Sequence, residues 1–339
     1  MLCSLAERTM KDLVTLLAPY HTISIIGMAK NAGKTTTLNH LIDYFNRQNI
    51  KLALTSIGRD GERVDVVTKT SKPEIFVYSD TYIVTAEKLL SLCDITKEIV
   101  RVTDMNTPMG RVVIVRALSD GFVQLGGPSI TTQISDLLQH LPVDKVIVDG
   151  AISRKTLANP DVTEATILCT GASLDRRLST VIEETRHAVE ILTLPQLEDK
   201  RILAELESVT EETHAIDKGY IYFPGAVSEG KIRDLILSNA KLKDILMVAQ
   251  DPSKIFIKPA TYEKLRIKGG TLRVLHPIHL VGLTVNPTSP YDVGFDPGLF
   301  LEQMREAVPV PVYDVKAIEM MSKYGKAQFN DNNDDKNNV

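Results

Sequence analysis

The stretch Ile23-Ser24-Ile25-Ile26-Gly27-Met28-Ala29-Lys30-Asn31-Ala32-Gly33-Lys34-Thr35-Thr36 decides the reading of this chain. Its first four residues have the composition of a buried strand. A turn of small residues follows, and Gly33-Lys34-Thr35 opens a helix. That is the layout of a phosphate-binding loop. Backbone N–H groups of such a turn cradle phosphate oxygens, Lys34 reaches them with its ammonium, and the Thr35 hydroxyl is placed to ligate Mg²⁺. The candidate nucleotide contacts are Gly27, Lys30, Asn31, Ala32, Gly33, Lys34, Thr35 and Thr36. The common spacing G-x-x-x-x-G-K-[ST] needs a glycine where Met28 stands; here the glycine comes one residue earlier, giving G-x5-G-K-T.

Working outward, strands alternate with helices. Residues 4–18 read as an amphipathic helix, Lys51–Ser56 as a strand, and Ile75–Val77 as another. A helix is expected over Ala86–Cys93, strands over Arg111–Arg116, Lys145–Gly150 and Ala165–Cys169, and helices near 130–140 and up to Leu192. Nearly all-apolar strands between helices predict an α/β fold whose doubly wound, mostly parallel sheet is covered on both faces. Ligands then meet at the carboxyl ends of the strands. The polar, proline-interrupted stretch 195–215 marks a boundary, so the expected organisation is a nucleotide-binding domain over 1–195, a smaller α/β domain over 210–325 and a disordered tail over 326–339.

Asp149 ends the run Val146-Ile147-Val148-Asp149, which reads either as the apolar-strand-then-acid pattern that can hold Mg²⁺ beside a phosphate loop or as an ordinary acid at a strand end. Asp60 and Glu62, in Gly58-Arg59-Asp60-Gly61-Glu62, read either as catalytic acids, Asp60 also as a metal ligand, or as a solvated turn. The candidate catalytic set is Lys34, Asp60, Glu62 and Asp149; the candidate metal set is Thr35, Asp60 and Asp149. Thr170–Ser173 reads as a base or second-substrate turn or as a plain strand-to-helix turn. His276 and His279 are close in sequence without a carboxylate or thiol nearby.

A net charge of −4 argues against a nucleic-acid protein, and no apolar run reaches the length of a membrane span. Three separated cysteines (Cys3, Cys93, Cys169) and an N-terminus without a signal pattern lead to the expectation of a cytoplasmic protein. The absence of an Asn-Lys-x-Asp run tilts the expected nucleotide towards ATP over GTP.

The x5 loop spacing resembles that of the dethiobiotin synthetase branch of P-loop proteins, the wider class that also holds MinD-like ATPases. Lys30 lies one residue off the signature lysine of the latter, and that class analogy allows a homodimer sandwiching two nucleotides. Together with Thr55–Glu62, Val148–Ala151 and Thr284-Val285-Asn286-Pro287-Thr288-Ser289-Pro290, the loop resembles the P-loop subunit of the lysine 5,6-aminomutase reactivase family. That resemblance implies a nucleoside triphosphate hydrolase using ATP (or GTP) and Mg²⁺. It would act as a chaperone that exchanges damaged cofactor from an adenosylcobalamin-dependent lysine or ornithine aminomutase, together with a MutS-like ATPase subunit. The loop over 57–63 is then the expected switch. The competing expectation is an ATP-dependent small-molecule ligase or kinase of dethiobiotin synthetase type.

Overall fold

The structure is a computed structural model describing residues 13–56, 75–127, 135, 137–138, 140–151, 162–215, 218–238, 242–289 and 294–314. Among these residues the largest sheet has nine strands. In spatial order they are β17 (Val312–Asp314), β16 (Leu280–Asn286), β9 (Ala165–Gly171), β1 (Thr22–Gly27), β8 (Lys145–Ala151), β2 (Leu52–Ser56), β4 (Tyr82–Ala86), β6 (Gly110–Ala117) and β5 (Lys97–Thr107). The strands from β17 to β4 run parallel; β6 and then β5 are added antiparallel.

Alternation along each parallel strand divides the core in two. Ile23, Ile25, Ile147 and Ile167 face a cluster containing Leu38, Leu41 and Phe45 of helix α1 (Lys34–Arg47) and Leu13 and Leu17 of the preceding helical turn. Ile26, Val146, Val148 and Leu168 face the other way. There they meet Val181, Val189 and Leu192 of α2 (Leu178–Leu192) and Phe300 and Met304 of α6 (Pro297–Ala307). Burial on both faces is why these strands are apolar throughout. From β1 the chain steps to β2 on one side, and from β8 it steps back across β1 to β9 on the other. The carboxyl end of β1 is therefore at a topological switch point.

The amino end of β8 carries a buried charge. The Lys145 ammonium donates to the carbonyl oxygens of Leu17 (3.3 Å), Ala18 (2.7 Å) and Tyr20 (2.5 Å), closing the turn that feeds β1. Lys145→Met keeps the apolar stem and strands these acceptors. It is expected to cost about 2 kcal/mol in chemical denaturation, the usual worth of charge-assisted bonds; an unchanged midpoint would show the contacts to be idle.

A second sheet has the order β10 (Thr213–Ala215), β11 (Tyr220–Phe223), β13 (Leu246–Ala249), β15 (Thr271–Val274), the last three parallel. Helices α4 (Glu229–Leu237) and α5 (Pro259–Ile267) pack on it, and Ile191 and Leu194 join its core. The division differs from the one expected over 210–325. The second sheet ends at Val274, and β16 and β17 return to the large sheet, so the smaller unit is an insertion between α2 and β16. The physical reason lies in Leu280-Val281-Gly282-Leu283-Thr284-Val285, an apolar run that needs cover on both faces and finds it beside β9. The 195–215 stretch, read as a boundary, holds a helix and a strand of this smaller unit. Asp199 accepts from the N–H groups of Arg201 and Ile202 and starts α3 (Lys200–Leu206), whose Leu206 is buried. The tail over 326–339 lies outside the described residues.

Candidate functional site

The turn after β1 departs from both strand and helix geometry. Asn31 has φ 60° and Gly33 has φ 93°, so N–H groups of the turn are rotated out of a continuing strand or helix. Gly33 caps α1 without any side-chain hydrogen bond to the helix N-terminus, and the first turn carries no acid. A helix start left in that state favours an anion. The Lys34 side chain folds back over the strand end. A Cβ on Gly27 would lie 2.7 Å from both Cγ and Cδ of Lys34, so only glycine lets the stem pass there. Gly27→Ala is therefore expected to fold normally, displace the Lys34 stem and weaken anion binding about tenfold. Titration of Mg·ATP against both proteins checks this, and equal affinities would rule it out.

Asp149 shares the α1-facing side of β8 with Ile147, as the two-residue strand period requires. It lies beside Ile25 and Ser56 in register, and β8 runs two residues beyond it. Its Oδ1 is 3.8 Å from Lys34 Nζ, with the two side chains 24% and 22% exposed. At 3.8 Å the contact is longer than a hydrogen bond, although Asp149 Oδ1 is itself buried, so the ammonium can turn to a stronger anion. Thr35 and Thr36 follow in the first turn of α1, half-buried. Lys30 is exposed on the turn and Ala32 is buried beneath it. The structure thus brings together Gly27, Lys30–Thr36 and Asp149. Asp60, Glu62 and the proposed 57–63 switch lie outside the described residues.

Several residues around the turn were not singled out as site residues. Asn286, 7% exposed at the end of β16, donates from Nδ2 to the carbonyl of Asn31 at 2.9 Å. Its Oδ1 accepts from the Thr288 N–H (3.2 Å) and hydroxyl (2.8 Å), and its carbonyl accepts from the Ala172 N–H (2.9 Å). Below, the Thr37 hydroxyl is 3.1 Å from both the Gly33 carbonyl and the Thr284 hydroxyl. Cys169 Sγ lies 3.8 Å from it, and burial pushes that thiol up to about 11, so it stays neutral. Polar side chains at 284 and 286 within an otherwise apolar strand were the available signal.

The Thr170–Ser173 turn splits in role. The Thr170 hydroxyl is committed to that of Thr185 at 2.8 Å, within the core. Ser173 Oγ is buried without a hydrogen-bond partner among the described residues. An orphaned hydroxyl at this end of the sheet fits a ligand group. His279 packs edge-on against Tyr20, and no cluster of three or more His, Cys, Asp or Glu able to hold a metal occurs among the described residues. Cavities of about 570 and 490 Å³ meet at Tyr82 and Pro142, near the opposite end of the sheet. They carry none of the groups just described. No helix among the described residues is long and apolar enough to cross a membrane. No protein-family profile matches the chain, and no curated protein matches it.

Proposed function

We propose that the chain is a P-loop nucleoside triphosphate hydrolase, with ATP favoured over GTP. The observation that supports this most is Lys34 folded across Gly27, with its ammonium beside Asp149 and above a turn whose Asn31 and Gly33 are left-handed. A β,γ-phosphate pair laid on that turn accepts from its N–H groups and from the α1 N-terminus, and draws Lys34 Nζ away from its loose carboxylate contact. The residues fit a magnesium ion through the Thr35 hydroxyl and the Asp149 carboxylate. Such an ion would supply charge neutralisation to the phosphates. Asp149 also keeps Lys34 oriented before the nucleotide arrives. Phosphoryl transfer asks for positioning and charge neutralisation more than for covalent help.

The role of the hydrolysis rests on the sequence resemblance. On this reading the chain is a cytoplasmic chaperone ATPase that reactivates an adenosylcobalamin-dependent lysine or ornithine aminomutase with a MutS-like ATPase subunit. The insertion between α2 and β16 supplies contact surface for those proteins. The second reading is a ligase or kinase of dethiobiotin synthetase type, favoured by the orphaned Ser173 hydroxyl, which suits a second small substrate. Phosphate release with Mg·ATP and then Mg·GTP separates them: stimulation by the aminomutase and its partner ATPase supports the chaperone. Silence until a small carboxylate, amine or alcohol is added supports the ligase or kinase.

Asp149→Asn is nearly isosteric and removes the charge. Turnover is expected to fall by about 10²–10³, the scale for one preorganised electrostatic group, with nucleotide affinity changed far less. Unaltered single-turnover rates would take Asp149 out of the site.

A further inference from the structure

Ser56 is the last residue of β2 and only 9% exposed, yet among the described residues its hydroxyl has no hydrogen-bond partner. Other buried hydroxyls of the large sheet are committed: Ser24 to Thr166, Thr55 to the Val84 carbonyl, Thr85 to the Gln124 carbonyl and Thr170 to Thr185. Buried polar groups are ordinarily satisfied. This one stands at the carboxyl end of a strand, where open α/β sheets receive their ligands.

Strand alternation and register fix where the hydroxyl stands. Leu54 belongs to the cluster under α1, so Ser56, two residues on, faces the same way. Ser56 pairs in register with Asp149, whose side chain shares that face. Neighbouring strands lie about 4.8 Å apart, so Ser56 flanks the carboxylate from β2 while Lys34 approaches it from the β1 side. Ile25, the register partner of Asp149 on β1, offers no polar atom in its side chain. The main chain of Ser56 is covered by the 126–127 turn, since a Cβ on Gly127 would run into the Ser56 carbonyl.

We infer that Ser56 is a positioning residue for the metal of the proposed site: its oxygen accepts a hydrogen bond from a water of the magnesium hydration shell, next to Asp149. The inference rests on the phosphate-loop reading and adds a residue to it. Magnesium dehydrates reluctantly and keeps several waters in protein sites. The ion polarises those waters, so their protons need acceptors. A serine hydroxyl has two acceptor lone pairs, and at Ser56 no other group among the described residues competes for them.

The test is ATP affinity by calorimetric titration, once with Mg²⁺ and once with EDTA, for the wild type, Ser56→Ala and Ser56→Thr. The ratio of the two affinities is the contribution of the metal. The wild type should bind more tightly with Mg²⁺. Ser56→Ala should lose about tenfold of that gain, the lower end of what outer-shell partners of a metal supply, with the EDTA affinity and the thermal melt unchanged. Ser56→Thr keeps the hydroxyl on a residue suited to a strand and should restore the gain. A merely structural serine would lower the melt, or both affinities together, and either result overturns the proposal. So does a metal gain in Ser56→Ala equal to that of the wild type. A wild type that binds ATP equally with Mg²⁺ and with EDTA overturns the role of Ser56 and leaves the phosphate loop standing. A wild type that binds ATP in neither titration overturns the phosphate-loop reading and the role of Ser56 with it.

Discussion

Lys34→Ala is expected to remove nucleotide binding and turnover while leaving the sheet intact. The stem of Lys34 lies over Gly27, and its ammonium has a 3.8 Å contact with Asp149. At that distance the contact is longer than a hydrogen bond, so the fold is expected to keep most of its stability without it. A bound polyphosphate would lose a charge-assisted hydrogen bond worth about 1.5–3 kcal/mol, which is roughly a ten- to hundredfold loss of affinity. On the proposed reading a γ-phosphate would develop its charge beside the same ammonium, so turnover should fall further, by about 10²–10³. Calorimetric titration with Mg·ATP, phosphate release and a thermal melt read the three quantities separately. Unchanged affinity and rate would sink the phosphate-loop assignment whatever the melt shows. A lost melt would mean that Lys34 is structural.

What the sequence discloses here follows the range of each interaction. Strands β1, β8 and β9 are continuous apolar runs because both faces are covered, and such runs declare themselves locally. The turn after β1 and the position of Asp149 at the end of an apolar strand are legible for the same reason, because the spacing from Gly27 to Lys34 and an acid after three apolar residues are local patterns. Strand β5 is different. Lys97-Glu98-Ile99-Val100-Arg101-Val102-Thr103-Asp104 mixes charge with apolar residues and contains a bulge, so neither a two- nor a 3.6-residue period emerges. Helix α5 was missed beside Pro259, although proline suits the first helical position. The insertion was misdrawn because the partner of β16 is set by β9: Leu283 lies beside Leu168, and nothing near either residue announces the pair. Asn286 was quoted as part of a distinctive segment, but its acceptor is 255 residues away in the chain. Such a contact exists only once the sheet is formed.

That contact leads to the second large effect, expected from Asn286→Ala. Asn286 joins three segments: the turn after β1 through Asn31, the 171–172 turn through its main chain, and its own 287–288 turn through Thr288. Asn31 holds a left-handed conformation that asparagine tolerates but does not strongly prefer, so the turn depends on neighbours to keep it. Alanine deletes the donor to Asn31 and the acceptor for Thr288 in a site only 7% exposed. Leaving buried groups unsatisfied costs about 1–3 kcal/mol each, which should appear as a lowered unfolding midpoint. The turn would then sample other conformations, and nucleotide affinity should fall by about tenfold or more as the bound conformation becomes less populated. Asn286→Asp separates the two roles. Its carboxylate still accepts from Thr288, so stability should largely recover. It cannot donate to the Asn31 carbonyl, and its charge lies near the proposed phosphate site, so affinity should stay as poor as in the alanine variant or worse. Nucleotide affinity that recovers along with stability in the aspartate variant would show that Asn286 supports the fold alone. Affinity that stays lost while stability returns would make it the residue that shapes the turn.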